Sequence, residues 1–154
     1  MSEPAYDHTQ RSLLCLLVYA LALTFLVLGW GLRGEPLIRL MFPPTGVLML
    51  VLAACFHHLQ VKDLGDELSI QFGPVPLFRR RVKYADLTSV EIGRTTILDG
   101  WGIHLSVRGG WVWNISGRDC VVLRLRKSTL WLGTDDQQNL ARFLNSRIES
   151  LQRR

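Results

Sequence analysis

Residues 13–32 read LLCLLVYALALTFLVLGWGL, a run of 20 residues without a charged side chain. At 1.5 Å per residue, a helix of that length spans about 30 Å, the thickness of a bilayer's hydrocarbon core. The apolar residues run all round instead of down one stripe, which a soluble helix sustains only deep inside a much larger protein. The reading is a transmembrane helix. A signal peptide is the rival, with Arg11 as its charged flank. The run is too long for that, and the following Gly31-Leu32-Arg33-Gly34-Glu35 offers no small-residue cleavage pattern.

Arg33-Gly34-Glu35-Pro36 interrupts the apolar character, and residues 40–56 (LMFPPTGVLMLVLAACF) resume it. Pro43-Pro44 leaves two possibilities: a helix that opens near Pro44, or one that starts near Leu37 and kinks. Proline suits a first helical turn, which favours the opening near Pro44. The expected organisation is then a polar tail over 1–12, a first span over 13–32, a short loop over 33–42, a second span over 43–60, and a separate domain over 61–154. The second span is short, about 16 residues or ~24 Å, a length that bilayer thinning or snorkelling accommodates. The loop carries Arg33 and Arg39; the other side carries Arg11, Lys62 and then Arg79, Arg80, Arg81 and Lys83. That bias predicts a hairpin with both termini cytoplasmic, in an inner (plasma) membrane.

The charge map supports this partition. The chain has 154 residues, a net charge of +5 and a mean hydropathy of +0.17. Residues 1–56 contain only Arg11, Arg33, Arg39, Glu3, Asp7 and Glu35, which cancel, so residues 57–154 carry the whole +5. An apolar half is joined to a basic half, which excludes a disordered chain, a collagen-like chain and a single soluble domain. Cys15, Cys55 and Cys120 are an odd number without paired spacing, so they form neither a disulfide framework nor a metal knuckle. Each reads as a small buried hydrophobe.

After Val61 the period becomes two. Residues 67–72, 77–84, 88–94, 102–107, 111–113, 121–126 and 129–132 read as seven short strands separated by turn signals such as Gly73-Pro74, Asp99-Gly100 and Gly109-Gly110. Val90 and Ile92 would face inward, and the next strand alternates through Ile103, Leu105 and Val107. Thr134-Asp135-Asp136-Gln137 reads as a capping box. Leu140, Phe143, Leu144, Ile148 and Leu151 then form one helical stripe, with Arg142, Arg147, Arg153 and Arg154 off it.

The runs Asp99-Gly100-Trp101-Gly102-Ile103, Gly110-Trp111-Val112-Trp113-Asn114-Ile115-Ser116-Gly117 and Gly133-Thr134-Asp135-Asp136 resemble the bacterial PH-like domains of small membrane proteins of unknown function. The resemblance covers residues 66–151. It implies an α-helical transmembrane hairpin followed by an α+β PH-like domain, with about seven antiparallel strands in a sandwich or barrel capped by one C-terminal amphipathic helix. It carries no shared catalytic residues.

The sharpest local feature is Arg79-Arg80-Arg81-Val82-Lys83. In a strand Arg79, Arg81 and Lys83 share one face and Arg80 turns with Val82 to the other. Such a face either docks on anionic headgroups or an acidic partner, or simply keeps a sheet edge solvated. Arg124, Arg126 and Lys127 would extend it if the strand order allows. Trp101, Trp111 and Trp113 are dense for one region. Trp111 and Trp113 share a face, so both pack on a core or both are displayed. These seven residues are the candidate interaction set.

His8, His57, His58 and His104 lack the partners that catalysis or metal binding requires, and no phosphate-binding glycine loop occurs. The expectation is therefore no enzyme, no cofactor and no metal. A basic, aromatic sheet suits single-stranded nucleic acid in principle, but the membrane tether argues against it. The expected function is a membrane-tethered, non-catalytic interaction module that binds a protein partner at the cytoplasmic face. The alternative is binding of an anionic lipid headgroup through Arg79–Lys83.

Overall fold

Leu59, Val61, Leu68, Ile70 and Phe72 alternate with polar residues and all five are buried, as one face of a sheet requires. The computed structural model describes residues 5–32, 34–96 and 99–153, except for the Leu14 side chain. Its first sheet contains β1 (Asp7–Arg11), β2 (His58–Asp63), β3 (Glu67–Gly73) and β4 (Arg79–Lys83), antiparallel and in sequence order. Between β1 and β2 the chain leaves the sheet as two helices, α1 (Leu14–Gly31) and α2 (Pro36–Cys55). The hairpin is thus inserted into the domain. It does not precede it.

Residues 1–12 were expected to be a polar tail, and β1 corrects that. Its sequence, DHTQR, has no apolar residue and so no hydropathy signal. Polar contacts hold it: Gln60 Nε2 donates to Asp7 Oδ1 at 2.9 Å, Lys62 pairs with Asp7 at 3.2 Å, and Gln10 Nε2 donates to Ser116 Oγ at 2.9 Å. The second helix is corrected at both ends. Pro36 opens it, and it runs through Pro43 and Pro44 to Cys55; His58 to Gln60 belong to β2. Proline at Pro36 suits a first helical position as well as Pro44 would have. Pro43 fits against Gly29 of α1, where a Cβ would lie 2.9 Å from the proline ring. Gly46 meets Leu26 and Ala22 in the same way, and Phe25 and Phe42 pack with ring centroids 5.0 Å apart. Small residues let the two helices approach. The loop expected over 33–42 shrinks accordingly, and Arg33 lies outside the described residues.

Two membrane spans were expected. Among the described residues only α2 is both long and apolar enough to cross a membrane; Cys15–Gly31 is apolar but shorter. α1 ends at Gly31 because Leu32 leaves helical geometry.

A 3₁₀ turn (Tyr84–Asp86) carries the chain to the second sheet, of β5 (Leu87–Arg94), β6 (Gly102–Leu105), β7 (Trp111–Asn114), β8 (Asp119–Leu125) and β9 (Thr129–Gly133), in the order β5-β8-β9-β7-β6. The described residues form nine strands, not seven, and β7 runs parallel to β9, so the sheets are not wholly antiparallel. Short hairpins made every neighbour look antiparallel. The parallel contact arises because the β8–β9 hairpin enters beside β7 from the far side. The inner faces of the two sheets share one core, which α3 (Gln137–Gln152) closes with Leu140 and Leu144 fully buried. The capping box does not form. The helix cap is Asp136, and the Thr134 hydroxyl accepts the Asp136 N–H at 3.1 Å, two residues on. Among the described residues the architecture is an α+β fold of three helices and sheets of four and five strands.

Candidate functional site

The seven candidate residues separate into four places. β4 is a sheet edge, and its alternation is as expected: Arg79, Arg81 and Lys83 are exposed, Val82 is buried and Arg80 is half-buried beside it. Arg81 pairs with Glu67 at 2.9 Å. Burial lowers the pKa of Arg80 from its ordinary value. The 3₁₀ corner splays β4 away from the second sheet, and the Arg126 N–H donates to Asp86 O at 3.0 Å, holding the β8–β9 turn opposite. The result is an open cleft of about 580 Å³ whose walls include Arg80, Arg81, Lys83, Arg126 and Lys127, with Asp86 at its edge. Arg124 does not join it; that side chain reaches Thr129 at 3.4 Å on its own strand pair.

Trp101 stands elsewhere. Its indole N–H donates to Gly117 O at 3.3 Å and it is 55% exposed. With Cys15, Val18, Leu52, Ala53 and Phe56 it lines an apolar recess of about 330 Å³, where the base of the helical hairpin meets the second sheet. Trp113 is core, with its ring 5.6 Å from that of Phe72. Trp111 is 42% exposed, so two tryptophans expected to share a fate do not. The inner face they share runs past the end of the core at Trp111.

Two features escaped the sequence reading. Leu105 and Val107 alternate with polar residues in the sequence yet are 66% and 73% exposed; likewise Val90 is buried as expected, but Ile92, expected inward on the same strand, is 54% exposed on edge strand β5. β6, the edge strand of the second sheet, stops at Leu105, which pairs with Trp111 of β7, and Val107 lies in the turn that joins the two strands. A run of alternating apolar residues cannot distinguish an inward face from an edge that projects beyond the core. The second is residues 74–78, PVPLF, where Val75, Leu77 and Phe78 are exposed. The strand expected from Leu77 starts only at Arg79.

Polar networks brace these surfaces. Buried Asp63 accepts from the Tyr84 hydroxyl at 2.8 Å, Gly65 N–H at 2.9 Å and Arg147 at 2.7 Å, tying α3 to the first sheet. Desolvation raises the Asp63 pKa, but these donors outweigh it and the net shift is downward. Burial, and next the bond to Asp63, push the Tyr84 phenol well above its ordinary value, so it stays a donor. Buried Asp99 behaves similarly. Burial raises it, but the Thr96 and Ser106 hydrogen bonds and the Arg108 charge bring it down to about 2. Arg108 also lies 4.0 Å over the Trp131 ring. Among the described residues no group of three His, Cys, Asp or Glu side chains is placed to hold a metal ion. No protein-family model matches the chain, and no curated protein matches it.

Proposed function

We propose that the chain is a membrane-tethered, non-catalytic interaction module of the PH-like kind it resembles. The helical hairpin sits in a bacterial inner membrane, both termini are cytoplasmic, and the domain binds a protein partner. One observation carries the tether: the apolar helices pack on each other and on little else, with only 11% of the apolar window of α2 buried. The buried positions are small ones, Cys15, Ala22, Gly29, Gly46, Ala53 and Cys55, while Leu17, Leu23, Leu37, Leu40 and Leu48 point outward. Soluble monomers do not display an apolar surface of that extent. With 18 and 20 residues, the helices are about 27 and 30 Å long, within the mismatch a bilayer absorbs.

The partner surface is the free edge of β6. An edge strand offers unpaired backbone donors and acceptors, and a partner strand that adds to β6 would run beside exposed Leu105, with Val107 in the adjoining turn and Trp111 on the neighbouring strand β7. A photocrosslinker at Leu105 in native membranes is expected to yield a discrete protein adduct, lost in Val107→Lys. Adducts to lipid alone would overturn the partner reading.

The basic cleft supports a second reading, an anionic headgroup as ligand. Register limits it. Arg79 pairs with Gln71 and, through it, Gln60, only two residues along β2 from the hairpin. Lys83 pairs with Glu67, beyond the far end of β2, about 20 Å along the strand at 3.3 Å per residue. Surface potential decays over about 8 Å at physiological salt, so Lys83 and the residues opposite it are better placed for an acidic protein segment. A photoreactive phosphatidylglycerol that labels β4 in proteoliposomes, with the label lost in Arg79→Glu/Arg81→Glu, would favour the lipid instead.

A further inference from the structure

We infer that the β3–β4 loop, residues 74–78, is a second membrane-contacting element, seated at the headgroup–acyl boundary beside the helical hairpin. The inference rests on the tether proposed above and adds the orientation of the domain against the lipid.

The loop has the wrong chemistry for water. A turn between antiparallel strands ordinarily uses Gly, Pro, Asn, Asp or Ser; this one keeps Pro74 and Pro76 but fills its other places with Val75, Leu77 and Phe78, with neither charge nor hydroxyl. Leu77 is 64% exposed, and Val75 and Phe78 are each more than a third exposed. The loop is nonetheless well tied: Phe78 O accepts the Phe72 N–H at 3.0 Å and Val75 O accepts the Leu77 N–H at 2.9 Å. Its apolar tip is therefore presented by a constrained backbone.

Its position points to the occupant. Gly73, the last residue of β3, pairs with His58, the first of β2, so the loop leaves the sheet on the rung where the hairpin leaves it. The contact is direct. Phe56 caps the end of α2, and the Phe78 ring stacks on it with centroids 5.2 Å apart. The apolar surface of α2 thus continues through Phe56 and Phe78 to Leu77. On the other side of the hairpin base, exposed Trp101 lines the apolar recess with Leu52 and Phe56, at a level where amphipathic indoles favour membrane interfaces. Charge completes the match. Arg79 and Arg81 follow the loop at once with exposed side chains, giving an apolar tip with a basic collar, the composition of interfacial anchors on anionic leaflets.

The test uses the full chain in phosphatidylethanolamine–phosphatidylglycerol proteoliposomes. An environment-sensitive fluorophore is placed on Leu77→Cys, with Leu48→Cys on the outer face of α2 and Val107→Cys at the far edge of the second sheet as references. Cys15, Cys55 and Cys120 are buried in the native fold, and the mock-labelled wild type sets the background. The inference expects a blue-shifted emission at position 77 that is lost to lipids carrying doxyl groups high on the acyl chain, with loss at position 48 to deeper doxyl groups and no loss at position 107. A label at 77 that behaves like the one at 107, while 48 is quenched, would overturn the loop's role and leave the tether standing. A blue shift at 77 without doxyl quenching would mean that a protein covers the loop, and would also overturn it. Absence of quenching at 48 would overturn the tether itself.

Discussion

Asp63 carries more of the fold than any residue the sequence singles out. It joins β2, the turn at Gly65, the 3₁₀ corner through Tyr84 and α3 through Arg147, four segments with no common sequence signal. Asp63→Asn keeps the shape but removes the charge and leaves Arg147 without its partner; it should destabilise by roughly 2–4 kcal/mol. The pH dependence follows from the direction of the shifts. Asp63 and Asp99 both have native pKa values below the ordinary carboxylate value. Their contribution is therefore complete above about pH 4, the unfolded value, and is lost as pH falls through the native ones. For Asp99, held near 2, that is about 2–3 kcal/mol. Thermal unfolding followed by circular dichroism in detergent should show the midpoint constant from pH 7 to 5 and dropping below pH 4. Asp63→Asn should shrink that drop. An identical acid dependence in the variant would remove Asp63 from the account.

At the scale of elements, legibility tracked hydrophobic pattern and failed where something else decides. The two apolar runs, the buried faces of β3, β8 and β9, and the α3 stripe were readable, because burying one face leaves a period of two or of 3.6. β1 was not, because its side chains are polar and its partner β2 lies beyond a 44-residue excursion (residues 13–56). The candidate site was half-legible. The shared face of Arg79, Arg81 and Lys83 follows from strand geometry, whereas the arrival of Arg126 and Lys127 opposite depends on strand order. Interior prolines misled because their cost was weighed without the partner helix that packs on Pro43. The partner contact makes its own prediction. A Cβ at Gly46 would lie 2.8 Å from Leu26 Cγ and 3.0 Å from the Ala22 carbonyl oxygen, and the carbonyl cannot yield without moving α1. Gly46→Val should therefore destabilise the hairpin by about 1–3 kcal/mol, read as a lower unfolding midpoint in detergent. Val47→Leu, on the exposed face next door, should leave the midpoint unchanged. Equal effects at both positions would mean that α1 and α2 do not pack through Gly46.

At the scale of the molecule, the consequence of inserting the hairpin between paired strands is that the double-sheet domain is discontinuous. A fragment that starts at Lys62 loses β1 together with Leu59 and Val61 of the core, and it should be recovered aggregated. The same topology offers a better soluble form. The Ser12 N–H donates to His57 O at 3.3 Å, and Arg11 pairs with His58. The two ends of the excursion are therefore already neighbours across an antiparallel rung. Replacing residues 13–56 by Asn-Gly asks only for a two-residue hairpin turn of the type that suits such a rung. The strand pairing would survive while the exposed apolar faces of α1 and α2 disappear. That deletion is expected to be monodisperse without detergent and to melt cooperatively, whereas the full chain is expected to require detergent. Retention of Tyr84 and Trp113 in a rigid core, seen as near-ultraviolet dichroism, would distinguish a folded domain from a collapsed one. If the deletion variant were as insoluble as the full chain, the exposed faces of α1 and α2 would not be what demands detergent, and the proposed division into a lipid-facing insertion and a water-facing double sheet would fall.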